Sequence, residues 1–146
     1  MPEGSGDVVL GFDFGTRRIG VAVGSSFSGQ AQALTTLHHQ DGPDWQAITR
    51  LVAEWRPNAL VVGLPLMEDG REQPITGHAR DFMASLGKHF DLPVHATDER
   101  FSSTEAEARL RTARSTGARR RRLRKGDSDA MAAQVILETW LADNTA

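Results

Sequence analysis

The stretch that decides the fold is VVLGFDFGTRRIGVAVG, residues 8–24. Two apolar runs rich in β-branched residues flank the turn-forming residues GTR, and this pattern predicts two strands, residues 8–14 and 18–24. A third strand is predicted at residues 31–37, after the turn-rich piece SSFSG. Because such short connections join antiparallel neighbours, the chain is expected to open with a three-stranded antiparallel sheet.

The remaining chain alternates helices with strands. Apolar residues at helical spacing predict one helix in DWQAITRLVAEWR, residues 44–56, with Asp44 as its N-cap and Pro57 as its stop. A second helix is predicted to end before Pro93. The segments ALVVGLP and VHATDER predict two further strands, and a last helix is expected over about residues 128–142. Strands connected through helices are parallel, with right-handed crossovers. We therefore predict an α/β fold in a single domain, residues 1–146. It is a ribonuclease H-like mixed five-stranded sheet, three antiparallel strands and then two parallel ones, with helices on both faces.

The composition limits the class of protein. A chain of 146 residues that is 39% hydrophobic and 25% charged is typical of a soluble globular protein. No apolar run approaches the roughly 20 residues that span a bilayer, and the start MPEGSGD lacks the features of a secretory signal. We therefore expect a cytoplasmic protein without a membrane partner. The absence of cysteine excludes thiol catalysis and thiolate zinc sites.

Positive charge is concentrated in one segment of a chain whose net charge is only −2. Ten of the 17 basic residues lie between Arg100 and Lys125, together with only two acids. This asymmetry indicates a polyanion such as nucleic acid as partner, although a solvated charge run would look the same. The candidate nucleic-acid-binding residues are Arg119, Arg120, Arg121, Arg122, Arg124 and Lys125.

Asp13 is the one charged residue in the first predicted strand. Side chains alternate between the two faces of a strand, so Asp13 shares its face with Gly11 and Gly15. Such small neighbours leave room for a phosphate or a hydrated ion. A turn or capping role for Asp13 is the alternative that the pattern leaves open.

Two other acids are candidates for the same site. In the fifth predicted strand Asp98 and Glu99 point to opposite faces, so one of them faces the helix-covered side. Asp129 falls on the same stripe of the last helix as Ala133, and this stripe faces the core, so Asp129 is expected to face the sheet. Asp127 precedes the predicted helix and is interpreted as a solvated or capping acid.

Converging carboxylates require a compensating cation. Two such charges about 4 Å apart repel by roughly 4 kcal/mol at an effective dielectric constant near 20. Oxygen ligands without cysteine suit Mg²⁺ or Mn²⁺ better than Zn²⁺. The acids therefore indicate a site for a hard divalent cation.

Four blocks of sequence, in order, resemble the YqgF family, also called the RuvX family: GFDFGTRRIGVAVG, ALVVGLPL followed by DG, TDERFSSTEAEARL and DAMAAQVIL. The resemblance covers nearly the whole chain. It implies a ribonuclease H-like fold similar to RuvC-type resolvases, and metal-dependent endonuclease activity associated with maturation of the 5′ end of pre-16S rRNA. It also implies that Asp13, Glu99 and Asp129 are the catalytic and metal-binding residues.

The resemblance leads to a mechanistic hypothesis. Asp13 bridges two Mg²⁺ or Mn²⁺ ions, and Glu99 and Asp129 each hold one of them. Such ions lie about 3.5–4 Å apart; one lowers the pKa of the attacking water and the other stabilises the departing 3′ oxygen. Arg17 and Arg18 lie in a turn near Asp13, where contact with phosphate and a plain surface role are equally compatible with the pattern.

Other functions remain open at this point. A Holliday-junction resolvase acting on branched DNA would need two sites related by a two-fold axis, and therefore a dimer, whereas an rRNA nuclease can be a monomer or a weak homodimer. A non-catalytic nucleic-acid-binding module would not need the acids. A phosphotransferase of the actin-like type is disfavoured, because 146 residues cannot supply its second lobe and no GxxxxGK[ST] loop is present.

Overall fold

The computed structural model describes residues 8–15, 17–38, 42–65, 71, 73–98 and 125–144. The strands and helices occur along the chain in the predicted order. The strands are β1 (Val8–Phe14), β2 (Arg18–Ser25), β3 (Gln30–His38), β4 (Ala59–Leu64) and β5 (Val94–Asp98). The helices are α1 (Trp45–Trp55), α2 (Pro74–Phe90) and α3 (Lys125–Asn144).

All five strands form one mixed sheet in the order β3-β2-β1-β4-β5. β2 pairs antiparallel with both β1 and β3, whereas β4 pairs parallel with both β1 and β5. The predicted sheet of three antiparallel and two parallel strands is therefore confirmed. This order puts β1 at the centre, with its carboxyl end beside those of β4 and β5.

Local sequence signals explain the bounds of α1. The Asp44 side chain caps its first turn by accepting a hydrogen bond from the Ala47 N–H at 3.1 Å, as the capping preference of aspartate predicts. The helix ends at Trp55, because Arg56 adopts a left-handed conformation with φ 47° and donates its N–H to the Val52 carbonyl at 2.8 Å. Termination thus occurs before Pro57, the residue that the sequence pattern marks as the helix stop.

The connection from β4 to α2 is tied at both ends by one buried hydroxyl. Thr76 Oγ1, in the first turn of α2, donates to the Pro65 carbonyl at 2.5 Å and accepts the Gln73 N–H at 2.9 Å. Gln73 Nε2 also donates to the Pro65 carbonyl, at 3.4 Å. Since Thr76 is fully buried, these bonds fix the start of α2 against the carboxyl end of β4.

One face of the sheet packs against α1 and α2. Phe12 and Phe14 of β1 project to this face and contact Phe82 of α2, with ring centroids 5.6 and 5.1 Å apart. Ile48 of α1 and Leu86 of α2 are fully buried in the same cluster. The alternation predicted for the first strand is confirmed, and it leaves the opposite face of β1 to Val9, Gly11 and Asp13.

Within the described part of the chain, the other face packs against α3. The buried residues of this second core are Val9, Ala22, Val61, Ala133, Ile136, Leu137 and Leu141. A Cβ atom added to Gly11 would lie 2.9 Å from the Cβ of Leu137, so this glycine lets the helix approach the centre of the sheet closely. Two bonds to the edge strand also hold α3: Gln134 Nε2 donates to the Ala31 carbonyl at 3.0 Å, and Glu138 Oε2 accepts the Ala31 N–H at 3.3 Å.

The start of α3 differs from the sequence prediction. The helix begins at Lys125 rather than near Ser128, so Asp127 lies within its first turn and not before it. Neither Gly126 nor Ser128 costs a helix more than about 1 kcal/mol, and no proline interrupts the segment. The buried apolar stripe that follows is therefore sufficient to extend the helix through these residues. No helix in the described ranges is long and apolar enough to cross a membrane.

Candidate active site

Asp13 occupies the centre of the sheet near the carboxyl end of β1. Its register partners are Gly20 on the antiparallel strand β2 and Gly63 on the parallel strand β4. A half-buried carboxylate is thus flanked on both sides by residues without side chains. Small neighbours along β1 are predicted from the sequence; the structure adds the small neighbours across the sheet.

The same cross-strand row ends in two hydroxyl groups. Gly20 pairs with Thr36 on β3, and Gly63 pairs with Thr97 on β5. The row therefore reads threonine, glycine, aspartate, glycine, threonine across the five strands. Asp13 thus lies at the middle of a row that ends in a threonine on each side. This edge, where parallel strands end, is where open α/β sheets bind their ligands.

Asp129 reaches this row from α3. The backbone carbonyl of Asp129 lies directly over Gly20, so closely that a Cβ atom at Gly20 would overlap its oxygen. Gly20 is the residue opposite Asp13, and Asp13 and Asp129 therefore adjoin the same glycine. The prediction that Asp129 faces the sheet is confirmed by this packing. Two acids from opposite ends of the chain are thereby placed at one edge of the sheet.

Arg18 completes the described part of the site. Its Nε lies 2.5 Å from Asp129 Oδ2, and the two side chains are 28% and 26% exposed. The β1–β2 turn sets this position, because the Gly15 N–H donates to the Arg18 carbonyl at 2.9 Å. The sequence pattern left Arg18 open between a phosphate contact and a surface role. The sequence does contain one signal for the position of Arg18. Arg18 and Gly20 are two residues apart in β2, so side-chain alternation places both on the face that packs against α3.

Several predicted site residues lie outside the described part of the chain. Glu99 is one of them, so which of Asp98 and Glu99 faces the site stays a prediction. The nucleic-acid-binding candidates Arg119, Arg120, Arg121, Arg122 and Arg124 also lie outside it. Lys125 begins α3 and Asp98 ends β5, but only their backbones are described.

The residues present fit a hard divalent cation. Within the described ranges no group of three or more histidine or acidic residues could hold a metal ion, and the third predicted ligand, Glu99, falls beyond them. Asp13 and Asp129 supply oxygen donors, and both side chains are only partly buried. The Asp129 carboxylate already pairs with the guanidinium cation of Arg18, so positive charge is favourable beside this carboxylate.

A cavity of about 330 Å³ lies on the opposite face of the sheet. Its lining includes Phe14, Trp45, His78 and Phe82, all on the side of α1 and α2. Asp13 projects to the α3 face, so this cavity is separate from the acids.

The chain is similar to proteins of a known family along almost its whole length. The family model described as "RuvX: Holliday junction resolvase" matches residues 7–143. A protein of Azotobacter vinelandii named "Putative pre-16S rRNA nuclease" is 48% identical over 141 residues, covering 95% of this chain and 96% of the relative. A protein of Pseudomonas putida with the same name is 46% identical over 139 residues, covering 94% and 96%.

Solved structures share the fold at low sequence identity. Thermus thermophilus RuvC in complex with a Holliday junction substrate has a TM-score of 0.56 and 19% identity, and the match covers 96% of this chain and 98% of that one. The yeast mitochondrial Holliday junction resolvase Ydc2 has a TM-score of 0.54 and 11% identity, with 91% and 77% covered. These similarities confirm the ribonuclease H-like fold.

Proposed function

We propose a function from the premise that this chain belongs to the RuvX family, whose model covers residues 7–143. The protein is a metal-dependent endonuclease that hydrolyses phosphodiester bonds of nucleic acid, and its substrate is the 5′ extension of pre-16S rRNA. Relatives with 46–48% identity over nearly their whole length, which are named for this activity, support the choice of substrate. The proposal places the protein in the cytoplasm, with nucleic acid as its partner.

The observation that supports this function best is that Asp13 and the backbone of Asp129 adjoin the same residue, Gly20. A carboxylate on an otherwise apolar sheet face carries a desolvation cost. The fold nevertheless keeps Asp13 between two glycines and brings a second acid to the same place, next to Arg18. Such an arrangement is typical of a site built to bind cations and phosphate.

Asp13, Asp129 and Glu99 would hold Mg²⁺ or Mn²⁺ in this proposal. Two such cations, when bound, lower the pKa of the attacking water and stabilise the leaving oxygen. The chain itself supplies the fixed frame. Asp13 is held by β1 at the centre of the sheet. Asp129 is held by the close packing of the first turns of α3 on Gly20. The arginines from Arg119 to Arg122, with Arg124 and Lys125, bind the phosphate backbone and orient the strand.

A second candidate function is the resolution of Holliday junctions. The description of the matching family model favours it, and so does a fold shared with a resolvase bound to its junction. The chemistry would be the same on branched DNA. Symmetric cleavage of a four-way junction needs two active sites related by a two-fold axis, so this candidate requires a dimer.

The deciding experiment assays the purified protein on a 5′-extended 16S rRNA precursor and on a four-way DNA junction, in Mg²⁺ and in Mn²⁺. We expect Asp13→Asn and Asp129→Asn to slow cleavage by about a thousandfold or more, because several kcal/mol of charge stabilisation would be lost. Asp81→Asn is the matched control. Asp81 is an exposed acid that lines the cavity on the other face, and its loss should leave the rate unchanged.

The outcome separates the candidates. Cleavage of the precursor by a monomer supports the rRNA nuclease, and paired cuts in the junction by a dimer support the resolvase. Wild-type rates in Asp13→Asn would contradict both candidates and favour a binding module without catalysis. Sedimentation of each sample under assay conditions gives the oligomeric state.

A further inference from the structure

The contact between Arg18 and Asp129 joins two elements that are 111 residues apart in sequence. Each side chain is about one quarter exposed, with 28% for Arg18 and 26% for Asp129. The bond uses Nε of the guanidinium and Oδ2 of the carboxylate. An arginine has five N–H donors in a planar fork, so one bond leaves most of its capacity for other acceptors.

This ion pair is not needed to hold α3 on the sheet. The helix is fixed by the buried side chains of Ala133, Ile136 and Leu137, and by the two hydrogen bonds to Ala31. Partly exposed ion pairs contribute little to stability by comparison. The position of the pair is more informative, since it lies beside the glycine that separates Asp129 from Asp13.

Arg18 and a divalent cation would compete for the same carboxylate. Asp129 Oδ2 is already bound to Arg18 Nε, and a positive charge at this distance opposes the arrival of a second positive charge. Arg18 therefore weakens the affinity of the free protein for metal. Nucleic acid supplies the acceptor that can draw Arg18 away, because a phosphate offers oxygens that match the guanidinium fork.

We propose that Arg18 is a positioning residue that couples metal loading to nucleic-acid binding. In the free protein the positive charge of Arg18 neutralises the carboxylate of Asp129. When nucleic acid binds, Arg18 transfers its hydrogen bonds from Asp129 to a backbone phosphate and releases the carboxylate to a divalent cation. The inference rests on the proposed function, because it takes Asp129 as a metal ligand. Linkage makes the coupling reciprocal, so metal also strengthens the binding of nucleic acid through Arg18.

The test measures Mn²⁺ affinity without nucleic acid, from the electron paramagnetic resonance signal of free Mn²⁺. We expect Arg18→Gln to bind Mn²⁺ about tenfold more tightly than the wild type, because a neighbouring positive charge is removed. Arg18→Lys keeps the charge and should stay within about twofold of the wild type. Arg17→Gln is the matched control: it removes the same charge from the adjacent exposed residue and should change little.

A purely structural role for Arg18 predicts the opposite direction. Without Arg18 as a support, Asp129 would become looser and bind Mn²⁺ more weakly, so an unchanged or weaker affinity in Arg18→Gln overturns the inference. Arg18→Met replaces the glutamine variant if circular dichroism shows that the latter is not folded. Asp129→Asn distinguishes the two levels of the proposal. If Asp129→Asn binds Mn²⁺ as well as the wild type, the proposed metal site itself fails.

The second readout is the salt dependence of oligonucleotide binding, followed by fluorescence anisotropy in EDTA and in Ca²⁺, with intactness checked on gels. In Ca²⁺ we expect Arg18→Gln to flatten the plot of log affinity against log salt by roughly 0.7–0.9, the contribution of one neutralised phosphate. In EDTA the difference in slope from the wild type should be smaller, because without a cation to replace it Arg18 stays paired with Asp129 in more of the complexes. If Arg18→Gln and the wild type have the same slope in Ca²⁺ as well as in EDTA, the proposed transfer of Arg18 to phosphate is wrong.

Discussion

Gly20 is the residue on which the geometry of the site depends most. The Asp129 carbonyl occupies the space of a Cβ atom at this position, and Asp13 is its partner across the strand pair. A side chain at Gly20 would push the start of α3 away from the sheet. The displacement would move Asp129 and leave Asp13 in place, and the distance between the two acids would change.

We therefore expect Gly20→Ala to lower the free energy of unfolding by about 1–3 kcal/mol through overpacking. Cleavage should slow by about a hundredfold, because small misplacements of catalytic groups have effects of this size. Urea unfolding and the cleavage assay measure the two effects.

Gly77→Ala is the control for this substitution. Gly77 is exposed in α2 with open space around it, so alanine should raise the free energy of unfolding by roughly 0.5–1 kcal/mol and leave cleavage unchanged. A fully active Gly20→Ala protein would show that the close packing of α3 on Gly20 does not position Asp129.

At the level of single residues, side-chain alternation predicted the face of Asp13, whereas the residues that other elements place around Asp13 and Asp129 could not be predicted. Asp13 stands out because a charge interrupts an apolar strand, and side-chain alternation then assigns its face. The pairing of Arg18 with Asp129 spans 111 residues and leaves no local pattern. The glycines at positions 20 and 63 become meaningful only when the register across strands is known.

Among the elements, the start of α2 shows how one hydroxyl fixes a connection. Thr76 Oγ1 is buried and bonds both the Pro65 carbonyl and the Gln73 N–H. We expect Thr76→Val, which keeps the shape, to lower the free energy of unfolding by about 1–3 kcal/mol, since the Gln73 N–H loses its acceptor and the Pro65 carbonyl loses its shorter hydrogen bond.

Thr76→Ser is the control that distinguishes the contribution of the hydroxyl group to stability from that of the methyl group. Serine retains both bonds and loses only a buried methyl group, at a cost of about 1 kcal/mol. Urea denaturation of the three proteins gives the comparison. Equal stability of the valine variant and the wild type would show that the bonds to Pro65 and Gln73 add nothing to stability.

Element bounds followed from the sequence where a local chemical signal exists. Asp44 caps α1 as predicted, and β1 has the predicted bounds. The start of α3 was misplaced because Gly126 and Ser128 resemble a helix boundary, while packing against the sheet decides where the helix begins. Tertiary packing of this kind is not visible in a linear pattern.

Across the whole molecule, charge is distributed unevenly along the sequence. The segment from Arg100 to Lys125 holds ten of 17 basic residues, in a chain with a net charge of −2. We expect simultaneous replacement of Arg119, Arg120, Arg121 and Arg122 by glutamine to reduce the salt slope of nucleic-acid affinity by roughly 0.7–0.9 for each phosphate that the variant no longer neutralises.

The control for that experiment replaces exposed arginines on the other face of the sheet. Arg50 on α1 and Arg80 on α2 are suitable, and their exchange for glutamine should leave the slope as it is. Titrations of oligonucleotide binding between low and moderate salt measure both variants. An unaltered slope in the quadruple variant would show that these four arginines do not contact phosphate and are a solvated charge run.

The seating of α3 also has a consequence for biosynthesis. Asp13 and Arg18 leave the ribosome early, whereas their partner Asp129 follows Arg18 by 111 residues. Domains assemble vectorially as the polypeptide is made, so α3 can cover the sheet only after residues 125–144 have been read. Under the proposed function, a nascent chain would not degrade the RNA around it, because Asp129 reaches the sheet only at that stage.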